Sequence, residues 1–570
     1  MLQTSLGQMG VARAMETKIK PVEILPLVKH YMEALGLARL FDKFVPNRNG
    51  AEIAPAQVLC MLVMNLMVSA KPLYRVEDWL HDYLDGMGEQ RVAAAKYNDD
   101  RLVRSLDQLF GADRGSLLTE LSAKAIELHQ LATQIIHNDT TSVTFLGAYE
   151  QEDPQAVKLR HGYNKDHRPD CKQIVFGLNT TADGQVPISY QLYDGNQADV
   201  TTHRPNWQHL RELLDQEDFI YVADSKLCAQ ETLASIARHG GRYITVVPRN
   251  VREVKDFLQR VRDGEEIVWQ DHLDIPDSRK AGRMQTYRIH VGEMMAAGGR
   301  LLWVHSAAKA QLEHNAREQR IAKAQQALEK LASGLNQRML KTREQIEAAV
   351  KKATHGAQAY LTVTLDEERT RERVPLGCGR PGPNTRYRDI ERVRYSLTWQ
   401  RHDTQITQAQ RTDGLFPLTD NTDLDPVAVL RTYKNQPYLE KRFSTKKSVL
   451  EVAPVFLKTP RRIEAMMLLY FVALMLVSLI ERRIRLDMAQ QHMERLPMRP
   501  GGMHTSQPTW RTIMDSFHGV HLASIERCGK VIQTTLKGLH NLQQQILRLL
   551  KVPITVYTSL RDGWWRFALE

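Results

Sequence analysis

Little in this chain points to a fold held together by crosslinks. Its 570 residues contain five cysteines, Cys60, Cys171, Cys228, Cys378 and Cys528, an odd number with no two at metal-ligand spacing. That argues against a disulfide framework and a zinc finger, and a reducing cytoplasm is the expected setting. The first twenty residues lack the apolar run of a secretory signal. No H-E-x-x-H pair offers a histidine metal site, and no nucleophile motif is recognisable. His137, His161 and His167 therefore read as structural or nucleic-acid-proximal histidines. The glycine-rich GCGRPGP at 377–383 is a loop without the strand-to-helix setting of a phosphate cradle.

Long apolar runs are scarce too. The main one, AMMLLYFVALMLVSLI, spans Ala465 to Ile480. It is shorter than the roughly 20 residues a spanning helix needs. The expectation is a helix buried on all sides in a large core, with no membrane partner. A single-pass membrane protein is the competing reading.

What is present is a large, basic chain. Its length exceeds one ordinary core, so two to four domains are expected. The net charge of +11 favours a polyanionic partner, nucleic acid or acidic membrane. Residues 1–130 carry apolar residues at helical spacing, with Pro55 placed to open a helix. The period changes at Gln134. QIIHND is a short apolar run ending in an acid, and SVTFLG is a second strand candidate. QIVFGLNTTADGQVPISYQLY reads as two strands around Asp183-Gly184. A helix, the strand FIYVAD, another helix and the strand RYITVV follow, which predicts an α/β domain with a mixed sheet over 131–250. Residues 251–412 differ: charged strand candidates surround a long polar helical segment. Ile321, Ala324, Leu328, Leu331 and Leu335 form a heptad seam there, broken at Gly334. An intramolecular helical hairpin is expected over an intermolecular coiled coil. The α/β pattern resumes over 413–485, where Asp425-Pro426 supplies a cap and first-turn proline. Residues 486–570 read as basic and mostly helical, ending with ITVY and GWWRF.

Isolated acids mean little, but Asp139 and Asp224 each end an apolar strand candidate. Two strands side by side can bring two such carboxylates together, and the pair then repels itself unless a cation is present. Oxygen ligands of that kind suit Mg²⁺ or Mn²⁺. The bland reading of either aspartate alone is a cap or turn residue. Farther on, Tyr433, Gln436, Glu440 and Lys447 are spaced 3, 4 and 7. On one helix, Tyr433 and Lys447 would each lie within about 20° of Glu440. A carboxylate beside an ammonium suits a metal ligand next to a phosphate clamp. Pro437 complicates the face, because it removes a helix hydrogen bond, so Tyr433 is expected on a separate turn.

Together these segments resemble a known family. Tyr433-x2-Gln436-x3-Glu440-x6-Lys447 resembles the Y-x2-R-x3-E-x6-K signature of bacterial insertion-sequence transposases of the DDE type. IIHNDTTSVTFLGAY and YVADSKL resemble the segments around their two aspartates. HGYNKDHRPDCKQ and the Gly195-Asn196 turn resemble stretches between them. PLYRVEDWL and YNDDRLVRSLDQLF resemble members with long N-terminal regions. The departure is Gln436, where the signature has arginine.

The resemblance implies an RNase H-like core interrupted by a large insertion domain before the helix that carries the glutamate. It implies catalytic, metal-holding roles for Asp139, Asp224 and Glu440, with two Mg²⁺ or Mn²⁺ ions. DNA contacts are expected from Tyr433, Gln436, Lys447, Lys165 and Arg168, and DNA-end binding from 1–130. The partner is double-stranded DNA, both element ends and target, engaged by a homodimer in a synaptic complex in the bacterial cytoplasm. A catalytically inactive, domesticated DNA-binding descendant is the alternative.

Overall fold

The computed structural model describes residues 15–47, 51–69, 72–84, 94–150, 152–163, 168–276, 284–296, 298–337, 340–376, 382, 385–436, 442, 457–499, 502–527 and 530–560. They form two compact units, Met1–Thr245 with Thr432–Glu570, and Val246–Arg431.

The first unit begins with a strand, β1 (Met15–Pro21), and a group of helices: Leu25–Ala34 (α1), Leu37–Phe44 (α2), Pro55–Val68 (α3), Val76–Leu84 (α4), Asp99–Phe110 (α5) and Arg114–His129 (α6). Pro55 opens α3 from a first-turn position where its missing N–H costs nothing. The Asn98 side chain caps α5 by accepting from the Arg101 N–H at 3.1 Å.

The sheet of this unit is built from β2 (Ile135–Phe145), β3 (Lys172–Thr181), β4 (Pro187–Tyr193), β5 (Ile220–Ala223) and β6 (Arg242–Val246), in the order β4-β3-β2-β5-β6. The β2–β3 and β3–β4 pairs are antiparallel. The β2–β5 and β5–β6 pairs are parallel. Parallel neighbours need crossovers, and the helices His203–Leu214 (α7) and Gln230–Arg238 (α8) provide them. QIIHND and SVTFLG are not two strands but one. β3 pairs with β2 without a break from Ile136↔Thr181 to Phe145↔Lys172, so the polar residues between the two apolar runs stay in the ladder.

The second unit opens with helix α9 (Arg252–Asp263). Its sheet is antiparallel, β7 (Asp271–Pro276), β8 (Met284–Met294) and β9 (Arg300–Ser306) joined by a later strand. Helices α10 (Ala307–Ser333) and α11 (Arg343–Ala353) form the expected intramolecular hairpin: Ile321, Ala324, Leu328 and Leu331 meet Ile346 in a core of the unit's own. That core also takes in Leu361 and Leu397, at the base of a two-stranded ribbon, β10 (Leu361–Pro375) and β11 (Tyr387–Arg401). Arg317, 3% exposed, locks the α10 seam through a bidentate pair with Asp413 at 2.9 and 2.5 Å. Helix α12 (Asp403–Arg411), strand β12 (Leu415–Asp420) and helix α13 (Pro426–Tyr433) complete the chain order. β12 pairs with β9 from Leu415↔His305 to Asp420↔Arg300, so the unit extends to Arg431 rather than ending near residue 412. Asp425 caps α13 as expected, accepting from the Ala428 N–H at 2.9 Å.

The chain then returns to the first unit. Its apolar run is the centre of α14 (Pro460–Gln490), and 94% of the most apolar window of this helix is buried inside the protein. By length and composition α14 could cross a membrane, but here it is the central core helix, packed against α3, α5 and β4. Near its end Glu481, 6% exposed, holds three groups. It accepts from Arg442 Nη1 at 2.6 Å, from the Trp510 N–H at 2.7 Å and from Arg485 at 3.2 Å. Arg442 also donates to the carbonyls of Gly184 at 2.7 Å and Gln185 at 3.1 Å, on the β3–β4 turn.

Beyond residue 490 the mostly helical expectation is corrected. Two hairpins are present, β13 (Leu496–Arg499) with β14 (Met503–Thr505), and β15 (His521–Arg527) with β16 (Lys530–Lys537). β1 joins the second hairpin through β15. Strands this short, from opposite ends of the chain, carry too few residues for a period to stand out. The ITVY segment contributes a helical turn, Thr555–Thr558. GWWRF and most of GCGRPGP lie outside the described residues.

Two outcomes follow from this packing. Glu481→Gln leaves the buried Arg442 guanidinium without its counter-charge, so stability should fall by about 3–5 kcal/mol. Urea unfolding followed by tryptophan fluorescence checks this, and Glu464→Gln, on the same helix but more exposed, serves as the comparison. The second concerns His129, stacked on Tyr31 with ring centroids 6.1 Å apart. Burial, then Arg482 and Arg483, push its pKa down to about 4. Between that value and the ordinary 6.5 the unfolded chain binds a proton that the folded chain does not, so stability falls as pH falls through this window. His129→Phe should make that fall shallower in thermal melts recorded from pH 7 to pH 4.

Candidate active site

The site starts from a register. β2 and β5 run parallel with Ile135↔Ile220, Ile136↔Tyr221 and His137↔Val222 paired. Two residues on, at the same offset, Asp139 falls opposite Asp224. Neighbouring strands lie about 4.8 Å apart, so two carboxylates issue from adjacent backbone positions. β5 ends at Ala223, whereas β2 continues to Phe145. Asp139 is thus mid-strand, at the point where its neighbour stops, rather than at a strand end. Both aspartates are half-buried. Asp139 Oδ1 accepts from the Thr140 N–H at 2.7 Å. Asp224 Oδ1 accepts from the Lys226 N–H at 3.0 Å, while its carbonyl takes the Thr245 hydroxyl at 2.6 Å.

Polar side chains buried in the sheet fix the strands beneath these acids. Asn138 Nδ2 donates to Asn179 Oδ1 at 2.8 Å, and Asn206 Nδ2 donates to the same oxygen at 2.8 Å. Asn206 also donates to the Tyr221 hydroxyl at 2.9 Å, and that hydroxyl lies 3.2 Å from His203 Nδ1. The hydroxyl proton then goes to Nδ1, which leaves the histidine N–H at Nε2, 3.9 Å from Asp224 Oδ1. Burial lowers the His203 pKa against the opposing pull of Asp224 and Asp199, so the ring is neutral. Asp199 is a further acid in this region, accepting from the Thr140 hydroxyl at 3.0 Å. The sequence reading passed over Asn179, Asp199, His203 and Asn206. The available signal was asparagine inside apolar strands, at positions where an unpaired amide would be costly.

Two buried polar residues, Gln436 and Arg442, flank Glu440 in the sequence. Gln436, 8% exposed, has Oε1 2.9 Å from His137 Nδ1 and donates Nε2 to the Asn138 carbonyl at 2.7 Å. Burial keeps His137 neutral, its pKa pushed down to about 4 against the Gln436 hydrogen bond. Gln436 as a DNA contact is therefore corrected: both ends of its amide are spent on β2. Glu440 and Lys447 lie outside the described residues, as does Lys165. Arg442, two residues past Glu440, is buried on Glu481 and on the β3–β4 turn. Tyr433 ends α13, Lys434 and Asn435 form a turn, and Gln436 is again helical. Tyr433 and Gln436 thus do not share one helix, and the reason is local: the Pro437 ring would strike the carbonyl of Tyr433, four residues back. Tyr433 is half-buried, and burial draws the Lys434 pKa down to about 8.

Arg168 is exposed and paired with Asp170 at 2.9 and 2.8 Å. An exposed pair is weak, so its guanidinium can exchange partners. The stretches around it are explained by close packing. A Cβ on Gly195 would lie 2.0 Å from the Gln173 carbonyl, and one on Gly162 would lie 2.1 Å from the Gly195 carbonyl. Only glycine lets these backbones meet. Among the described residues, no group of three or more His, Cys, Asp or Glu is arranged to hold a metal ion.

Residues 17–123 match a domain of unknown function (DUF4277). Residues 133–476 match the family described as Transposase DDE domain. The comparison with curated proteins yields no match. Among solved structures, the piggyBac transposase synaptic complex with hairpin DNA is similar at 12% identity and a TM-score of 0.28, over 48% of this chain; the chain spans 61% of that protein's length. The transposase match takes in both aspartates, both anchors of the later segment and more than half of the chain, and the protein belongs to the Transposase DDE domain family.

Proposed function

We propose that the protein is an insertion-sequence transposase that binds terminal inverted repeats and carries out metal-dependent DNA cleavage and strand transfer. The observation that carries the reading is the β2–β5 register, with Asp139 opposite Asp224. A sheet in the order third-second-first-fourth-fifth, with the first three strands antiparallel and the last two parallel, supports an RNase H-like core. In this reading Asp139 comes from the first strand and Asp224 from the end of the fourth. Glu440 comes from the segment pinned at Gln436 and Arg442. The Val246–Arg431 unit is the insertion.

The donor set fits hard divalent cations. Two carboxylates at adjacent backbone positions repel one another, and a third carboxylate completes an all-oxygen set. Asp139, Asp224 and Glu440 would hold Mg²⁺ or Mn²⁺, which supplies charge stabilisation at the scissile phosphate and a more acidic attacking water. Neutral His203, itself buried, presents its Nε2 N–H toward Asp224 Oδ1, 3.9 Å away. Gln436 fixes β2 immediately before Asp139, which limits the freedom of the ligand it positions. Water attacks the phosphodiester at the element's end and frees a 3′-OH. That 3′-OH attacks target DNA, releasing a target 3′-OH in turn. Lys447, Lys165, Arg168 and Tyr433 are assigned to backbone phosphate, in a homodimeric synaptic complex in the cytoplasm. The helical residues 1–130 are assigned to DNA-end binding.

Asp139→Asn, Asp224→Asn and Glu440→Gln should each lower cleavage of a duplex carrying the element's end by a hundred- to a thousandfold or more, roughly the scale of losing an electrostatic stabiliser. Binding of the same duplex should persist. Wild-type activity should vanish in EDTA and return with Mg²⁺ or Mn²⁺, without zinc. Binding by wild type with no cleavage in either metal would favour the domesticated, inactive alternative. Lys447→Ala should reduce the slope of log affinity against log salt by about one unit, equally for cognate and scrambled ends. A selective loss of cognate binding at unchanged slope would mean that this lysine reads sequence.

A further inference from the structure

The β10–β11 ribbon has a base that belongs to its unit and a distal half that does not. Each strand has 15 residues, about 50 Å at 3.4 Å per residue. Near the base burial alternates along β10, with Leu361 buried, Val363, Leu365 and Glu367 half-buried, and the residues between them exposed. On β11, Leu397, Trp399 and Tyr395 share that inward face. From Glu368 outward the alternation stops, and nearly every residue of both strands is exposed. A two-stranded ribbon with neither face covered is marginal by itself. The distal half therefore has the form of an arm that stands exposed among the described residues.

The composition of the arm names the partner. Between Leu361 and Arg401 there are nine arginines and no lysine. Arg369, Arg371 and Arg373 alternate on β10 and so share one face. Arg388, Arg392 and Arg394 share the opposite face on β11, by the register Arg369↔Val393 and Thr370↔Arg392. From Glu368 to Pro375 and from Arg386 to Arg394, seven arginines meet four acids, Glu368, Glu372, Asp389 and Glu391, a local excess of three positive charges. Arg369 is held by Glu367 at 2.7 Å, and Arg392 by Glu372 at 2.7 Å. Arg373 lies over the Tyr387 ring at 5.4 Å. Arg371, Arg386, Arg388 and Arg394 pair with no carboxylate among the described residues. A solvated surface has no reason to exclude lysine. Planar, bidentate recognition of phosphate does, because the guanidinium fork fits it and the ammonium does not.

We infer that the distal half of the β10–β11 ribbon is a DNA-binding arm that lies along a groove of duplex DNA and sets Arg371, Arg388 and Arg394 on its phosphates. The major groove, about 12 Å wide, admits a two-stranded ribbon. Arginine rows on opposite faces suit the two backbones that flank a groove. At 3.4 Å per base pair the arm, eight residues of β10 from Glu368 to Pro375, covers about 8 base pairs if fully engaged. This inference rests on the transposase reading for its DNA, but on none of the catalytic residues.

The test uses the full-length protein and a fluorescent mixed-sequence duplex of about 30 base pairs, more than three times the arm's length. Anisotropy titrations over a salt series compare wild type, Arg371→Gln/Arg388→Gln/Arg394→Gln, and the same three changed to Lys. The glutamine variant should lower the slope of log affinity against log salt by about 2.7, which is 0.9 for each lost phosphate contact. The lysine variant should keep the slope but bind more weakly. All three positions are exposed, so melting temperatures should agree, and the duplex should protect these arginines from dicarbonyl modification in the wild type. An unchanged slope with unprotected arginines overturns the arm while leaving the transposase reading intact. Loss of self-association by the glutamine variant, with DNA binding intact, would give the arm to a second copy of the chain and also overturn it. Failure of the wild type to bind duplex at all would sink the underlying reading along with the arm.

Discussion

The parallel pairing of β2 with β5 is the constraint on which the rest depends. It stops at His137↔Val222, because β5 ends at Ala223. Beyond that point β2 stays paired with β3, Asp139 facing Leu178 in the ladder, while its pairing with β5 has ended beside Asp224. The offset between the strands is fixed by their apolar residues. A slip of one residue would turn Ile136, Tyr221 and Val222 to the wrong faces and would also separate Asp139 from Asp224. Hydrophobic register and the spacing of the acids are therefore the same quantity. The asparagine network beneath resists that slip, since any shift would strand buried amides without partners.

The site is also held from the other side of the chain's long excursion. Gln436 grips β2 through His137 and the Asn138 carbonyl, and Arg442 grips the β3–β4 turn and Glu481. Both anchors are buried and polar, the kind of interaction whose geometry matters more than its net energy. They tie α14, with its buried apolar centre, to the strand that carries Asp139.

Much of this was legible in the sequence. Asp139 and Asp224 stood out because each followed an apolar run, and the β3–β4 hairpin because Asp-Gly marks a turn. The α10 seam declared itself by its 3, 4, 3, 4 spacing, and Gly334 showed where it would fold back. Other features stayed hidden for identifiable reasons. β2 was divided in two because a strand paired on both edges near its start and on one edge later carries polar residues in its middle. Gln436 was assigned to DNA because a helix-face argument cannot tell which side of the helix is buried. Arg442 went unnoticed because nothing local distinguishes a buried arginine from an exposed one. The β1–β15–β16 sheet joins the two ends of the chain, a pairing beyond the reach of any local window.

The discontinuity of the first unit has a consequence for how the protein is made. α3 ends at Val68, and α14, which packs on it, begins at Pro460, 392 residues later. At roughly 5–20 residues per second, the ribosome takes about 20–80 s to supply that helix after α3 has emerged. During that interval the N-terminal helices present to the cell the apolar faces that α14 will cover. A nascent chain of this protein is thus a prolonged client for whatever shields exposed hydrophobic surface. Glu440, the third carboxylate of the proposed site, arrives only with the segment that brings the covering helix.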